Sequence, residues 1–289
     1  MKFVILGSGG ATTIPRPGCQ CKVCLEARTK GIPYARFGPS MLISDINLLL
    51  DTPEEIAVQL NREGINTVDY IFYTHWHPDH TLGMRIVERM NKFWLATFVK
   101  KEKPWKKVRI CALTEVFEDL KAISNKHGSF FDYYEKLDLI ETTKLEDGKA
   151  IKIEDFEITA FKVSSPDVVS TVFLIEQNGR KVIYAPCDVK PFPENKRLIG
   201  CNLLIVGSFF PEGPLKGNIV IPEDNELRTE LFSFTEILEL TRRINAERTL
   251  IVHIEEEWGK SFDDYKKLEE MYGTYNLQFA YDGMQIELR

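Results

Sequence analysis

Thr74-His75-Trp76-His77-Pro78-Asp79-His80-Thr81-Leu82-Gly83 is the stretch on which the reading of this chain turns. It follows a β-rich run, Tyr70-Ile71-Phe72-Tyr73, and it holds three of the protein's five histidines. Imidazole is a good ligand for zinc and similar transition metals, and an intervening carboxylate adds a hard anionic oxygen. In an extended segment, residues two apart face the same side, so His75 and His77 can address one ion. Pro78 turns the chain, after which Asp79 and His80 can reach a second ion nearby.

Working outward, β-rich runs recur along the chain at Lys2-Leu6, Met41-Leu50, Tyr70-Thr74, Val108-Ala112, Ala150-Val163, Thr171-Glu176, Lys181-Ala185, Leu203-Val206, Thr249-Val252 and Gln285-Leu288. Gln177-Asn178-Gly179-Arg180 reads as a hairpin turn, and Glu154-Asp155 as a bend. Helical patterns fall between them at Pro53-Glu63, with Asp51 or Thr52 as its cap, Leu82-Asn91, Glu115-Asn125, Phe234-Asn245 and Phe262-Tyr272. This interleaving, without linker or internal repeat, predicts a single layered domain over residues 1–289.

The 289 residues include 44% hydrophobic ones, enough for a large core. Lys plus Arg at 37 against Asp plus Glu at 43 gives a net charge of -6, which argues against a protein that coats nucleic acid through its overall field. No apolar stretch approaches the roughly 20 residues that span a bilayer, so a cytoplasmic chain with no membrane partner is expected. Its six cysteines are then read as thiols or metal ligands before disulfides. Cys111, Cys187 and Cys201 lie in apolar surroundings and read as small buried hydrophobes. Cys19-Gln20-Cys21-Lys22-Val23-Cys24, in a loop spanning about 15–40, instead suits a separate structural zinc that needs one further ligand. The basic run 100–107 reads as a solvated surface hairpin, His127 as an exposed helix-end residue, and Gly7-Ser8-Gly9-Gly10 as a tight structural turn.

The run from Thr74 to Gly83 resembles the metallo-β-lactamase superfamily signature T-H-x-H-x-D-H-x-x-G at every fixed position. That resemblance implies an α+β fold: a four-layered αββα sandwich of two mostly antiparallel sheets, with metals at one edge. It also implies later ligands. Asp188, after the strand Lys181-Ala185, matches the family's metal-bridging aspartate, and His253, after Thr249-Val252, matches its late histidine. The family's intermediate histidine is replaced near Phe161-Lys162-Val163-Ser164-Ser165-Pro166-Asp167 by Ser164 or Ser165. A hydroxyl is a weak zinc ligand, so the ion of His75 and His77 lacks its third nitrogen unless Asp167 or Asp188 substitutes. One firm ion at Asp79, His80, Asp188 and His253 is therefore expected, with a second that is weaker or differently ligated.

Gly-x-Gly-Gly, Cys-x-Cys-x-x-Cys, Arg36-Phe37-Gly38-Pro39-Ser40 and the ending Asp282-Gly283-Met284 resemble the branch that holds phosphoribosyl cyclic phosphodiesterase (PhnP-like proteins) and PqqB. In the phosphodiesterase a histidine completes the cysteine site; here that position is Glu256. The histidine that protonates the leaving group there has no counterpart between Ser208 and Ser233.

These readings converge on a metal-dependent hydrolase, a phosphodiesterase for a small or cyclic diester being favoured. Zn2+, or alternatively Mn2+ or Fe2+, lowers the pKa of a bound water to about 7, so a metal-bound hydroxide is available as nucleophile. Asp79 and Asp188 are the expected catalytic carboxylates, orienting the water and accepting its proton. The alternatives are a carboxylic ester, thioester or lactone hydrolase, and a non-catalytic metal-binding or ligand-binding protein on the same scaffold. The expected partners are a small anionic substrate and, in a homodimer, a second copy of the chain.

Overall fold

The computed structural model describes residues 1–165 and 167–288; Pro166, within the serine-bearing stretch, lies outside them. Period-two patterning builds its two sheets. In the strand Val169–Gln177, Phe173 and Ile175 point into a core shared with Phe72 and Leu49 of the other sheet. Val172 and Leu174 point the other way, onto Ile237 and Leu238 of the helix Phe234–Ile244. Such strands are buried on both faces, which explains why they read as continuous apolar runs.

The first sheet has the order Met284–Glu287, Lys2–Gly7, Ser40–Ile43, Leu48–Leu50, Tyr70–Phe72, Val108–Leu113, Ile140–Leu145. The second has the order Leu277–Phe279, Thr249–Ile251, Leu203–Val206, Arg180–Ala185, Val169–Gln177, Phe156–Ser164, Ala150–Ile153. Helices flank both, giving the αββα layering that was expected. The sheets are mixed, however, and not mostly antiparallel. Each has antiparallel pairing in one half and parallel pairing in the other. Parallel neighbours need crossover connections, which the helices supply, and their carboxyl ends fall along one edge. That edge carries the site.

Local differences from the sequence reading have local causes. Met41-Leu50 splits into Ser40–Ile43 and Leu48–Leu50 around a 3-10 turn that ends at Asn47, whose φ is 47°. The helix expected from Pro53 begins at Ile56, and neither Asp51 nor Thr52 caps it. Thr52 Oγ1 lies 2.9 Å from Tyr73 Oη, and Asp51 belongs to the site. The cysteine-bearing loop contains a helix, Lys22–Lys30. The strands Ile140–Leu145 and Leu277–Phe279 and the helix Phe130–Lys136 were not anticipated. In place of a basic hairpin, Ala96–Lys100 forms a π-helical turn followed by a loop, leaving Trp94, Val99 and Trp105 exposed. His127 sits exposed in a two-residue hairpin between Ser124–Asn125 and Gly128–Ser129, not at a helix end. No helix of the described residues is long and apolar enough to cross a membrane.

Gly7-Ser8-Gly9-Gly10 is a structural turn, as read. A Cβ at Gly7 would lie 1.9 Å from Gly38 O, so only glycine fits. Asp282 accepts hydrogen bonds from Ser8 N (2.9 Å), Ser8 Oγ (2.8 Å) and Phe37 N (2.9 Å), which ties the last strand to the first turn.

Candidate metal centre

Tyr70–Phe72 ends at the sheet edge, and the chain stays extended through His77 before Pro78 starts the short helix Pro78–Thr81. His77 and Asp79 thereby fall on opposite sides of a turn, with His75 and His80 fully buried beneath them. Three neighbouring strands of the second sheet deliver the distant residues. Asp188 follows Arg180–Ala185, Ser208 follows Leu203–Val206, and His253 follows Thr249–Ile251. All three adopt left-handed backbone, with φ of 52°, 52° and 55°. Such angles are uncommon outside glycine and cluster where a site imposes them. Ser208 Oγ accepts from Asp188 N at 2.6 Å, bracing one such turn against the next.

Two histidine pairs result, each on one carboxylate oxygen. His75 Nε2 and His77 Nδ1 lie 3.2 and 3.0 Å from Asp188 Oδ2. His80 Nε2 and His253 Nε2 lie 3.3 and 3.2 Å from Asp79 Oδ2. The outer nitrogens are held from behind: His75 Nδ1 lies 2.9 Å from Thr74 Oγ1, His80 Nδ1 lies 2.9 Å from Asp51 Oδ2, and His253 Nδ1 lies 3.2 Å from Glu255 Oε1. Asp51 also accepts from Thr74 N (2.8 Å) and Thr74 Oγ1 (2.9 Å). Metal-binding histidines are oriented by such partners.

The charges follow from the pairing. Burial opposes the negative charge of Asp79, but His80 and His253 outweigh it and hold the carboxyl far below the usual range. His75 and His77 do the same for Asp188 against the same burial. The hydrogen bond to Asp188 raises His77 to about 9.

Nε2 of both His75 and His80 is buried and makes no properly aligned hydrogen bond, although a carboxylate oxygen stands nearby. A buried polar atom without a partner costs about 1–3 kcal/mol. Lone pairs converging on shared space with carboxylates around it are the donor set a divalent transition metal takes, and the residues fit one.

The sequence reading of Cys187 needs correction. It is buried, but its Sγ belongs with the ligand atoms of His75, His77 and Asp188 in one group and with those of His80 and His253 in another. Asp188 stands with His75 and His77, so the atom common to both groups is the cysteine sulfur. Its place beside Asp188 at a strand end was the available signal, hidden by the apolar Tyr184-Ala185-Pro186 before it. Ser164, Ser165 and Asp167 line a cavity of about 580 Å³ with His77, Asp188 and Lys190, but Asp167 joins neither histidine group. The Ser165 hydroxyl donates to Val168 O at 3.2 Å.

The cysteine cluster assembles as expected. Cys19, Cys21 and Cys24 place Sγ atoms 3.4, 3.1 and 3.2 Å from Glu256 Oε1, so the fully buried Glu256 occupies the fourth position. Lys216, which the sequence reading did not include, donates to Glu256 Oε2 at 2.7 Å and to Cys19 Sγ at 3.3 Å. Burial raises the Cys24 thiol to about 12, whereas for Glu256 burial is overcome, chiefly by Lys216, and its carboxyl falls to about 2.

An αββα sandwich with paired histidines and carboxylates at the strand ends defines the class: the scaffold of metal-dependent hydrolases. A family model described as Beta-lactamase superfamily domain matches residues 46–254, and the chain belongs to that superfamily. Among solved structures it is similar to a diphosphatase of the PhnP family, at 20% identity and TM-score 0.74, covering 100% of this chain and 98% of the other. It is also similar to Zn2+-bound PqqB from Methylobacterium extorquens, at 16% identity and TM-score 0.70, with both chains covered completely. An octanoyltransferase of Porphyromonas gingivalis (strain ATCC BAA-308 / W83) is 33% identical over 87 residues, which span 29% of this chain and 17% of that protein.

Proposed function

We propose that the protein is a metal-dependent hydrolase of a small phosphodiester. The observation that carries the metal is the convergence of His75, His77 and Asp188 with His80, His253 and Asp79, including two buried imidazole nitrogens that have no other partner. A divalent metal bound there would supply Lewis acidity toward a phosphoryl oxygen and activate a water at neutral pH. Asp79 and Asp188, each within 3.3 Å of its two histidines, would orient that water and are the carboxylates placed to accept its proton.

The cavity beside His77 and Asp188 supports a small substrate. Lys190 is the one lysine or arginine among its described lining residues, and its ammonium already donates to Glu236 (2.8 Å), Arg228 O (2.7 Å) and Leu231 O (3.1 Å). Asp167, Glu226 and Glu230 line the same space. A monoanionic diester, neutralised by the metal, suits that lining better than a dianionic monoester or a polynucleotide. Similarity in fold to a diphosphatase of the PhnP family supports chemistry at phosphorus. The scarcity of free positive charge favours a second reading, an uncharged carboxylic ester, thioester or lactone, because the same activated water attacks a carbonyl.

Turnover of bis-aryl phosphate and aryl ester panels by metal-loaded protein and by His80→Ala separates the readings. Diester turnover that His80→Ala abolishes is expected. Ester turnover alone selects the second reading, and no turnover of either with a fully loaded centre rejects both.

A further inference from the structure

Cys187 lies between the two histidine groups. Its sulfur is within 4.8 Å of the ligand atoms of His75, His77 and Asp188, and equally of those of His80 and His253. It comes within 3.6 Å of Asp188 Oδ2, and only 7% of the residue is exposed. The position is built into the fold. A Cβ at Gly207 would come 2.0 Å from Pro186 O and 2.7 Å from His253 Cβ, so the glycine lets the turn carrying Cys187 press against the turn carrying His253. A reduced cysteine that merely filled the core would not need five polar partners, four imidazoles and a carboxylate, whereas Cys111 and Cys201 sit in the apolar interior without such company.

We propose that Cys187 Sγ is itself a metal ligand, shared between the two histidine groups. This rests on the metal-binding reading above and goes further: the group of His75, His77, Cys187 and Asp188 supplies two nitrogens, one sulfur and one oxygen without any residue from the serine stretch 164–165. The sulfur takes the place left by the missing histidine. Four ligands of this kind match the tetrahedral preference of zinc. A thiolate is a soft donor, so the centre selects zinc, cobalt or ferrous iron over manganese or magnesium, which favour oxygen. On binding, the S–H bond gives up its proton to solvent and the sulfur lone pair forms the metal bond.

Cobalt(II) titration of the apo full-length chain tests this through the sulfur-to-cobalt charge-transfer band in the near ultraviolet. The cluster of Cys19, Cys21 and Cys24 contributes equally to wild type and to Cys187→Ser, so their difference isolates Cys187. The expected result is a residual band in wild type, absent in Cys187→Ser, with cobalt at the histidines bound at least tenfold more weakly. Cys187→Asp should restore the cobalt stoichiometry without the band. Equal spectra and affinities for wild type and Cys187→Ser would overturn the proposal while leaving the histidine centre standing. If His75→Ala and His80→Ala bind as much cobalt as wild type, the metal-binding reading fails and the proposal with it. A measurement on wild type alone covers the case in which Cys187→Ser does not fold. Peptide-resolved alkylation of Cys187 should slow at least tenfold when zinc is added, and an unchanged rate in protein shown to carry zinc at the histidines rejects coordination.

Discussion

His80 Nδ1 lies 2.9 Å from Asp51 Oδ2, and both side chains are wholly shielded from solvent. A carboxylate oxygen at Nδ1 holds a proton there, so Nε2 is the nitrogen left to give up its proton to an incoming metal. Asp51 is thus a positioning residue that reaches the centre through a histidine. Asp51→Asn should lower metal affinity about 10–100-fold, the range seen for such supporting partners. Competition with a chelator of known affinity measures this, and wild-type affinity in the variant would refute the role.

Glu256 is buried at the fourth corner of the cysteine cluster, with Lys216 offsetting its charge. Glu256→Ala leaves three thiols and a cation, so zinc release to chelator should be at least tenfold faster than in wild type. Glu256→His, which supplies a common zinc ligand, should hold zinc at least as tightly as wild type. Identical release rates in all three proteins would show that the glutamate is no ligand.

Glu236 closes a capping box with Ser233 at the start of Phe234–Ile244 and pairs with Lys190, two residues after Asp188. Burial opposes its charge, but Lys190 and Ser233 prevail and its pKa lies below the usual 4.5. A depressed folded pKa contributes stability above the unfolded pKa, and the contribution disappears as pH falls through the folded value. Glutamine keeps the capping box and loses only the partly exposed ion pair, so Glu236→Gln should cost about 0.2–1 kcal/mol near neutrality. The gap from wild type should narrow as pH falls from the unfolded value of about 4.3 through the lower folded one. Urea midpoints from pH 7 to pH 3 supply the measurement, and a gap that persists at pH 3 would contradict the assignment.

Phe72 and Phe173 meet edge to face across the two sheets, with ring centroids 5.5 Å apart. Both are fully buried, so Phe173→Ala opens a cavity between the sheets and should cost about 3–5 kcal/mol. Denaturant unfolding reads this directly. A loss below about 1 kcal/mol would mean that the sheets repack around the gap.

Much of the scaffold was legible because its signals are local. Continuous apolar runs marked most strands of the second sheet, Asn178-Gly179 marked its hairpin, and the phenylalanine-led segments 234–244 and 262–271 kept helical periodicity. The strand Ile140–Leu145 escaped because its four central residues, Glu141-Thr142-Thr143-Lys144, lie at an exposed edge and carry no apolar alternation. Lys22–Lys30 escaped because cysteines and turn residues dominate the stretch before it, and only Val23, Cys24 and Ala27 are buried along it.

The sequence by itself determined the histidine run, because spacing of one or two residues dictates which side chains share a face and where Pro78 must turn the chain. Asp188 and His253 came through the family resemblance, each matching a family ligand at the end of an apolar strand. Only the tertiary structure decided which groups stand together. His253 meets Asp79 across 174 positions, and Glu256 meets the cysteines across 232 to 237. Cys187 shows the boundary most sharply: the residues before it in sequence are apolar, whereas its neighbours in space are imidazoles and a carboxylate. Which of these a thiol faces depends on how two sheets bring their strand ends together, and no local pattern encodes that approach.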